Sequence, residues 1–448
     1  MKYRIKTFDR TTNEKLPFKS IQAAIKKLPR LQKIELELES CAHLQTEDVI
    51  NLITTDLKQI TDLSMESLLE GRNANDAIKI IKSLPKHVTK LRLDNVFTVI
   101  SPELSTAEKI EFIEAISDKV TDISFMRNDL GTLDSNEIID IINAFSPNMT
   151  RLDLKENNFH ALSKDEYLSV LDAFSPNIKH LGLSFNVGAE DEQEGFDNNE
   201  LIELLQHVPP KVDSLDVYIE EFMLCENIYA LIDVMKAIPP EVTHFKFSND
   251  FSGTKLSANL PTAAVINAVP PSVNLMDLSH FNWESLESMI STLEYAIPTH
   301  ISRLILDDSQ LNTVRFDDLI YALDGIADTV TYISLKNNNL FVGKTKTERE
   351  ELLEKLFANH PAERLDIDEN GENNIIRAVP SIKRMIKEGM VTEDVGNHIA
   401  TFLGANTNTF FNGFRDKPKD SPTATKDTSL DKGVEDNPDI EKNPKPGP

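Results

Sequence analysis

The residues best suited to metal or acid–base chemistry are ten histidines, two cysteines and one acidic run. His180 and His244 occupy equivalent positions of repeated segments, but two strand spacings, roughly 9–10 Å, would separate them, which is too far for one metal ion. The sequence contains no HExxH pattern, no Gly-rich phosphate loop and no GxSxG motif. We therefore expect no catalytic residue, no metal, no cofactor and no enzyme activity.

The acidic run "NVGAEDEQEGFDNNE" places Glu190, Glu192 and Glu194 before Gly195, as a calcium-binding loop would. The twelfth position of such a loop needs a carboxylate that binds the ion through both oxygens, and Leu201 stands there. The run is therefore predicted to be a solvated acidic loop.

Composition narrows the classes of partner. The 448 residues carry a formal charge of −26, which argues against nucleic acid because phosphate backbones repel acidic surfaces. Two cysteines, Cys41 and Cys225, do not make a disulfide framework and suit a reducing cytosol. No apolar run approaches the length of a membrane span, and the first residues lack an apolar leader core. We expect a soluble chain without membrane insertion.

One strand pattern recurs along most of the chain. An apolar residue stands at the first inward position of each strand, and another stands three residues earlier. Successive strands are 28 to 34 residues apart, which is typical of a stacked repeat. The twelve first inward positions are Ile34, Leu63, Leu91, Ile123, Leu152, Leu181, Leu215, Phe245, Met276, Leu304, Ile333 and Leu365.

Apolar residues with helical spacing follow each strand, for example Ile138, Ile141 and Ile142, and a proline then ends the helix. Each unit is therefore predicted to be a strand, a tight turn, a helix and a return. An Asn five residues after the first inward position is predicted to bond the turn's backbone. These are Asn128, Asn157, Asn186, Asn338 and Asn370, whereas Val96, Glu220, Asp250, Phe281 and Ser309 predict turns that are looser or bonded differently.

These units resemble leucine-rich repeats of the ribonuclease-inhibitor-like variety. The resemblance implies an α/β solenoid, a horseshoe with a parallel concave sheet, outer helices and about twelve repeats. Repeats of this kind share one continuous core that no unit could bury alone. The expected organisation is an N-terminal cap over 1–30, the repeat array over 31–370, a C-terminal helical cap over 371–414 and a disordered tail over 415–448.

Strand residues that point away from the core should line up in columns on the concave sheet. One column leans basic and its neighbour leans acidic, which suits a protein partner better than a polyanion. Reversing Arg151 and Asp153 together is expected to weaken partner binding with little change in thermal stability. The candidate partner-binding residues are Arg151, Asp153, Lys155, His180, Ser184, Asp216, Tyr218, His244, Lys246, Asp277, Arg303 and Tyr332.

Units such as "IPPEVTHF" and "FSPNMTRLDLKENNF" are similar to those of the leucine-rich-repeat effectors of Legionella-type bacteria, which a type IV secretion apparatus delivers into host cells. The resemblance implies a virulence effector secreted by a non-classical route into host cytoplasm, or otherwise a protein of the bacterial cytoplasm. We expect a monomeric, non-catalytic scaffold that binds a protein, possibly from the host, through its concave face. Residues 415–448 would then act as an export signal, a flexible tether or a solubilising tail.

Two other functions stay open. "GMVTEDVGNHIATFLG" resembles the first helix of an F-box, which implies an adaptor for a ubiquitin ligase. One family of GTPase activators also uses this type of repeat, which makes a GTPase activator the other alternative.

Overall fold

The computed structural model describes residues 2–5, 18–19, 21, 35–38, 41–57, 60–101, 104–186, 196–220, 228–248, 261–280, 293, 296–361, 363–367 and 370. Residues 187–195 of the acidic run, the C-terminal cap predicted over 371–414, its F-box-like helix and the tail over 415–448 lie outside the described residues. The end of the acidic run is not a loop, because Asp197 caps a helix that begins at Asn198. Among the described residues, no helix combines the length and apolar character that crossing a membrane requires.

One open parallel sheet contains every strand of the described residues, in chain order. Each strand pairs with the strand of the next unit, and the helices lie in the connections. The thirteen strands are β1 Lys2–Ile5, β2 Glu35–Leu38, β3 Asp62–Ser64, β4 Lys90–Arg92, β5 Asp122–Ser124, β6 Arg151–Asp153, β7 His180–Asn186, β8 Ser214–Glu220, β9 His244–Ser248, β10 Leu275–Asp277, β11 Arg303–Ile305, β12 Tyr332–Ser334 and β13 Leu365–Asp366.

The helices of the described residues follow the strands in turn. They are α1 Thr46–Asn51, α2 Glu66–Leu69, α3 Ala74–Lys82, α4 Val96–Ile100, α5 Thr106–Glu114, α6 Ser135–Ala144, α7 Lys164–Asp172, α8 Asn198–Gln206, α9 Ile228–Lys236, α10 Pro261–Asn267, α11 Phe316–Asp324 and α12 Lys346–Asn359. A π-helical turn, Leu52–Asp56, continues α1, and single 3-10 turns follow the strands at Leu130–Thr132, Phe159–Ala161 and Leu311–Thr313.

Capping residues and prolines set the ends of several helices. In α7, the Ser163 side chain accepts the Glu166 backbone N–H while the Glu166 carboxylate accepts the Ser163 backbone N–H, so two backbone donors of the helix start are satisfied. The same reciprocal cap begins α5, α6, α8 and α12. Pro176 follows the end of α7 and cannot continue a helix, so the chain returns to the sheet.

Alternation along each strand separates core from surface. In β6 and the residue after it, Leu152 and Leu154 are fully buried, whereas Arg151 and Asp153 point away from the core. Aromatic rings link neighbouring units: Phe125 lies edge-to-face with Phe97 at 5.1 Å and with Phe145 at 5.5 Å between ring centroids. The buried residues form one continuous hydrophobic cluster along the stack.

The predicted register is confirmed for eleven of the twelve units and wrong for the first. Leu63, Leu91, Ile123 and the later inward positions pair in the predicted order through Leu365. In β2, however, Leu36 rather than Ile34 pairs with Leu63, and Glu35 rather than Lys33 precedes it. "IELEL" alternates with period two, so a shift of two residues keeps apolar residues inward and the pattern alone cannot choose between them.

A ladder of buried asparagines joins the turns, as predicted. The Asn157 amide donates to the carbonyls of Phe125 and Leu154, and its Oδ1 accepts the Asn128 backbone N–H at 2.8 Å. Asn128 and Asn338 repeat this pattern toward the preceding unit, accepting the N–H of Phe97 and of Ser309 respectively. Each Asn therefore satisfies backbone groups of two units at once, in a region where unpaired groups would be costly.

Serine at 309 is bonded differently from asparagine, as predicted. Its hydroxyl lies 3.3 Å from the Leu278 carbonyl O and 3.2 Å from that of Asp307, with a single hydrogen to donate. The residues on either side of the ladder positions share a left-handed backbone, for example Glu156 at φ 57° and Asn158 at φ 60°. Two units approach each other closely beside these residues. A Cβ added to Gly131 would overlap the carbonyl O of Asn158.

We expect Asn157→Ala to lower the free energy of unfolding by at least about 2 kcal/mol, because it leaves the Asn128 N–H and the Phe125 and Leu154 carbonyls unpaired. Urea unfolding followed by circular dichroism measures the change. Asn148→Ala is the control, since Asn148 is exposed. If the two variants were equally stable, the asparagine ladder would not contribute to the stability of the fold.

Candidate protein-interaction surface

The face of the sheet opposite the helices carries three columns of outward residues, called here the sheet face. The first column precedes each inward residue and the second follows it: Asp62, Lys90, Asp122, Arg151, His180, Ser214, His244, Leu275, Arg303 and Tyr332, then Ser64, Arg92, Ser124, Asp153, Gly182, Asp216, Lys246, Asp277, Ile305, Ser334 and Asp366. The third column, two residues further on, contains Asp94, Met126, Lys155, Ser184, Tyr218, Ser279, Asp307 and Lys336.

All twelve predicted site residues lie on the sheet face between β6 and β12. Arg151, His180, His244, Arg303 and Tyr332 belong to the first column, and Asp153, Asp216, Lys246 and Asp277 to the second. Lys155, Ser184 and Tyr218 belong to the third. Their placement on one face follows from the parallel register.

Lys155 is the centre of an ion cluster. Its ammonium pairs with the Asp216 carboxylate two strands away and lies 3.4 Å from Asp153 Oδ2. Gly182 on β7 leaves room for the Asp153 carboxylate, because a Cβ there would overlap it. Lys246 Nζ reaches Asp216 Oδ2 from the other side at 3.6 Å. Four charged groups from three strands thus neutralise one another.

Burial and pairing act in opposite directions on these groups. Burial disfavours a charged ammonium, but the carboxylates of Asp153 and Asp216 outweigh it, so the pKa of Lys155 is raised. Burial raises the pKa of Asp153, and the repulsion from Asp216 adds to it while Lys155 opposes it. Asp153 and Asp216 together thus keep Lys155 charged, and Lys246 lies beside Asp216 as the second cation.

A second polar cluster covers the C-terminal strands. The Asp307 Oδ1 accepts the Ser334 hydroxyl at 2.6 Å and the Lys336 backbone N–H at 2.8 Å. The Lys336 ammonium lies 3.0 Å from Asp366 Oδ2, which also accepts the Tyr332 hydroxyl at 2.8 Å. Asp94 repeats the first arrangement in the N-terminal part, where it accepts the Ser124 hydroxyl and the Met126 N–H. Asp307 and Asp94 thus each hold the outward residues of the following strand in place.

Ion pairs also lie along the first column near the N-terminal strands. Asp122 Oδ2 is 2.5 Å from Lys90 Nζ, and its Oδ1 is 3.8 Å from Arg151 Nε. Among the described residues, the three columns contain eight acidic and seven basic side chains. The sheet face is therefore close to neutral, whereas the whole chain has a net charge of −26. Most of the negative charge must lie on other surfaces, as the alternating columns predict.

Two histidines of the first column are partly enclosed. Burial lowers the pKa of His180, Arg151 lowers it further, and Asp213 opposes with an oxygen 3.9 Å from Nδ1. Burial likewise lowers the pKa of His244, with Asp277 and Asp216 opposing and Arg151 and His180 adding to the effect. In the part of the chain that the structure describes, no group of three His, Cys, Asp or Glu side chains could hold a metal ion.

Structure changes the interpretation of some predicted residues. Lys155 and Ser184 are buried, 5 % and 8 % exposed, and the Ser184 hydroxyl accepts the Glu156 N–H. Asp153 accepts the Lys155 N–H and faces its ammonium, so the expectation that reversing Arg151 and Asp153 would spare stability is wrong for Asp153. Sequence reasoning missed Asp94, Asp307 and Asp366. The shared "LxLD" of "LRLDN" and "LILDD" could have identified the first two.

We expect Lys155→Met to lower the free energy of unfolding by about 3 kcal/mol, because the paired acids Asp153 and Asp216 lose their shared counter-charge. Adding Asp216→Asn should restore part of the loss, which a double-mutant cycle measures by chemical unfolding. Lys164→Met, which breaks the more exposed pair with Glu203, should cost much less. If the losses in free energy of unfolding at Lys155 and Asp216 were additive, the two side chains would not interact, which would contradict the cluster.

Acidification should destabilise the fold through its enclosed histidines. The native pKa of His244 lies below its ordinary value of 6.5, so the unfolded chain binds a proton more readily than the native one. The free energy of unfolding should therefore fall as the pH drops through 6.5 toward the lowered native pKa. We expect a lower Tm at about pH 5.5 than at about pH 7.5, and a smaller difference in His244→Gln, measured by calorimetry. An unchanged difference would exclude His244 as its source.

Comparison with known proteins supports the same fold. The sequence matches no family model and no curated protein. Among solved structures, the chain is similar to the leucine-rich repeat-containing protein LegL7 from Legionella pneumophila, with a TM-score of 0.53 and 21% identity over 69% of this chain and 93% of that one. At this identity the likeness concerns the fold. Together with the in-register parallel sheet and its helical connections, it establishes that the chain has the α/β fold of a leucine-rich-repeat solenoid.

Proposed function

We propose that the protein is a non-catalytic scaffold that binds another protein through the sheet face. The observation that carries the proposal is the sheet face itself: a nearly neutral surface, on a strongly acidic chain, whose charged groups are held in fixed positions by neighbouring strands. Fixed side chains lose little conformational freedom when a partner binds, which favours affinity.

The size of the sheet face suits a protein partner. From β3 to β13 there are ten strand spacings of about 4.8 Å, and the three columns extend about 13 Å along the strands. The product, roughly 600 Å², is close to the ~800 Å² that one partner contributes to a typical specific interface. Partly exposed Tyr218, Tyr332 and Met126 add residue types that are enriched at the centres of such interfaces.

We propose further that the protein acts as an effector in the cytoplasm of a host cell and reaches it by a non-classical route. Support comes from the similarity of the repeat units to those of Legionella-type effectors and from the likeness of the fold to a protein of Legionella pneumophila. The binding partner would then be a host protein.

Photocrosslinking tests the use of the sheet face. A photoreactive phenylalanine analogue replaces either Tyr218 on β8 or Tyr321 on α11, and each variant is expressed in host cells. We expect a covalent protein adduct with the Tyr218 variant and none with the Tyr321 variant, although Tyr321 is 62 % exposed. Adducts at Tyr321 without any at Tyr218 would move the binding site to the helices and refute the proposal.

A further inference from the structure

Within the sheet face, exposure is confined to cations. Across the described members of all three columns, the side chains open to solvent by more than about a third are Lys90, Arg151 and Arg303. All three belong to the first column, on β4, β6 and β11. The acidic members of the face are half-buried or buried, and most of them are engaged with lysines, serines or backbone N–H groups of the next strand. Although the sheet face is nearly neutral, its acidic side chains are buried or half-buried, whereas its exposed charged side chains are the three cations of the first column.

The three cations are held in different ways, and each can still accept a carboxylate. Arg303 stacks on the Tyr332 ring, its guanidinium carbon 4.8 Å from the centroid, which leaves the planar edge of the guanidinium available for a bidentate contact. Lys90 and Arg151 share the single carboxylate of Asp122, so this group of three carries one positive charge in excess. Exposed ion pairs contribute little to stability, so an incoming carboxylate can replace them at small cost.

Histidines fill the first column between these cations. His180 lies beside Arg151, and Ser214 separates it from His244, so no acidic side chain of the first column intervenes between Arg151 and Arg303. Each histidine keeps one ring nitrogen enclosed, Nδ1 of His180 and Nε2 of His244. The first column from β6 to β11 therefore consists of two arginines, two histidines, Ser214 and Leu275, and contains no anion.

We propose, building on the proposed function, that the partner presents an acidic, extended segment that lies across the strands along the first column from Lys90 to Arg303. Seven strand spacings separate these residues, about 34 Å, a length that roughly ten extended residues cover. Nucleic acid fits less well, because the net charge of −26 repels a polyanion at long range whereas a short acidic segment meets only the local cations.

Peptide selection tests the inference with the full-length protein. A phage library of random peptides, about ten residues long to match the span of the column, is panned against the wild-type chain. We expect the enriched peptides to be acidic. Affinity for a synthetic copy of the strongest peptide should fall at least about tenfold in the face variant Lys90→Glu, Arg151→Glu, Arg303→Glu and should weaken with added salt.

A matched variant controls for net charge. Lys79→Glu, Lys236→Glu, Arg315→Glu changes the charge by the same amount at helix positions that are at least as exposed and that each pair with one acid. We expect this variant to bind the peptide as the wild type does. Equal losses in the two variants would overturn the inference, because binding would then depend only on overall charge. If the face variant fails to fold, the corresponding glutamine substitutions replace it in the same comparison.

The outcomes separate this inference from the proposed function. Enriched peptides that are neutral or basic, but crosslink to the photoreactive residue at 218, would overturn the acidic segment and leave the sheet face as the binding surface. Peptides that crosslink only at 321 would overturn both. Acidic peptides that crosslink at 218 and lose affinity only in the face variant support both.

Discussion

The structure depends on satisfying backbone groups that stacking hides from water. The tight turns after strands such as β5, β6 and β12 leave N–H and carbonyl groups in the interior, where an unpaired group costs as much as a lost hydrogen bond or more. One asparagine side chain, with an acceptor oxygen and a two-hydrogen donor, can serve the turn of its own unit and that of its neighbour. Hydrophobic burial supplies most of the driving force, but the ladder determines where each unit sits against the next.

The fixed register of the strands has its main consequence on the sheet face, the side of the strands that points away from the core. Since equivalent residues meet at every strand, charges placed on one unit act on the next at a constant spacing, and pairs such as Lys90 with Asp122 recur along the face. Lys155 extends the principle over two strands, because its ammonium pairs with Asp216 on β8. The sheet face is thus ordered by the same register as the core, and its buried polar side chains are held by groups of neighbouring strands.

Periodicity made most of this architecture predictable. Strand positions, inward residues, helix ends and asparagine contacts follow from residue types at fixed spacing. The structure confirms the strands from Leu63 onward and the contacts of Asn128, Asn157, Asn338 and Asn370. The turn predicted at Asn186 is wrong, because β7 continues through that residue. The first unit escaped because "IELEL" fits two registers equally well. Membership of the sheet face was also predictable, but the burial of Lys155 was not: it accompanies a pair with Asp216 two strands away, and a column count treats every position alike. Polar contacts between units, such as those of Asp307, depend on two sequence positions nearly thirty residues apart.

The ladder also has a direction. Asn157 accepts the N–H of Asn128 and donates to the carbonyl of Phe125, both of which belong to the preceding unit, and Asn338 and Asn370 do the same toward theirs. A turn is thus completed by residues that lie further toward the C-terminus. During translation, the buried turn groups of the most recently synthesised unit therefore stay unpaired until the next unit has been made. Loss of a unit from the C-terminal side would therefore leave the buried turn groups of the preceding unit without the asparagine that pairs them.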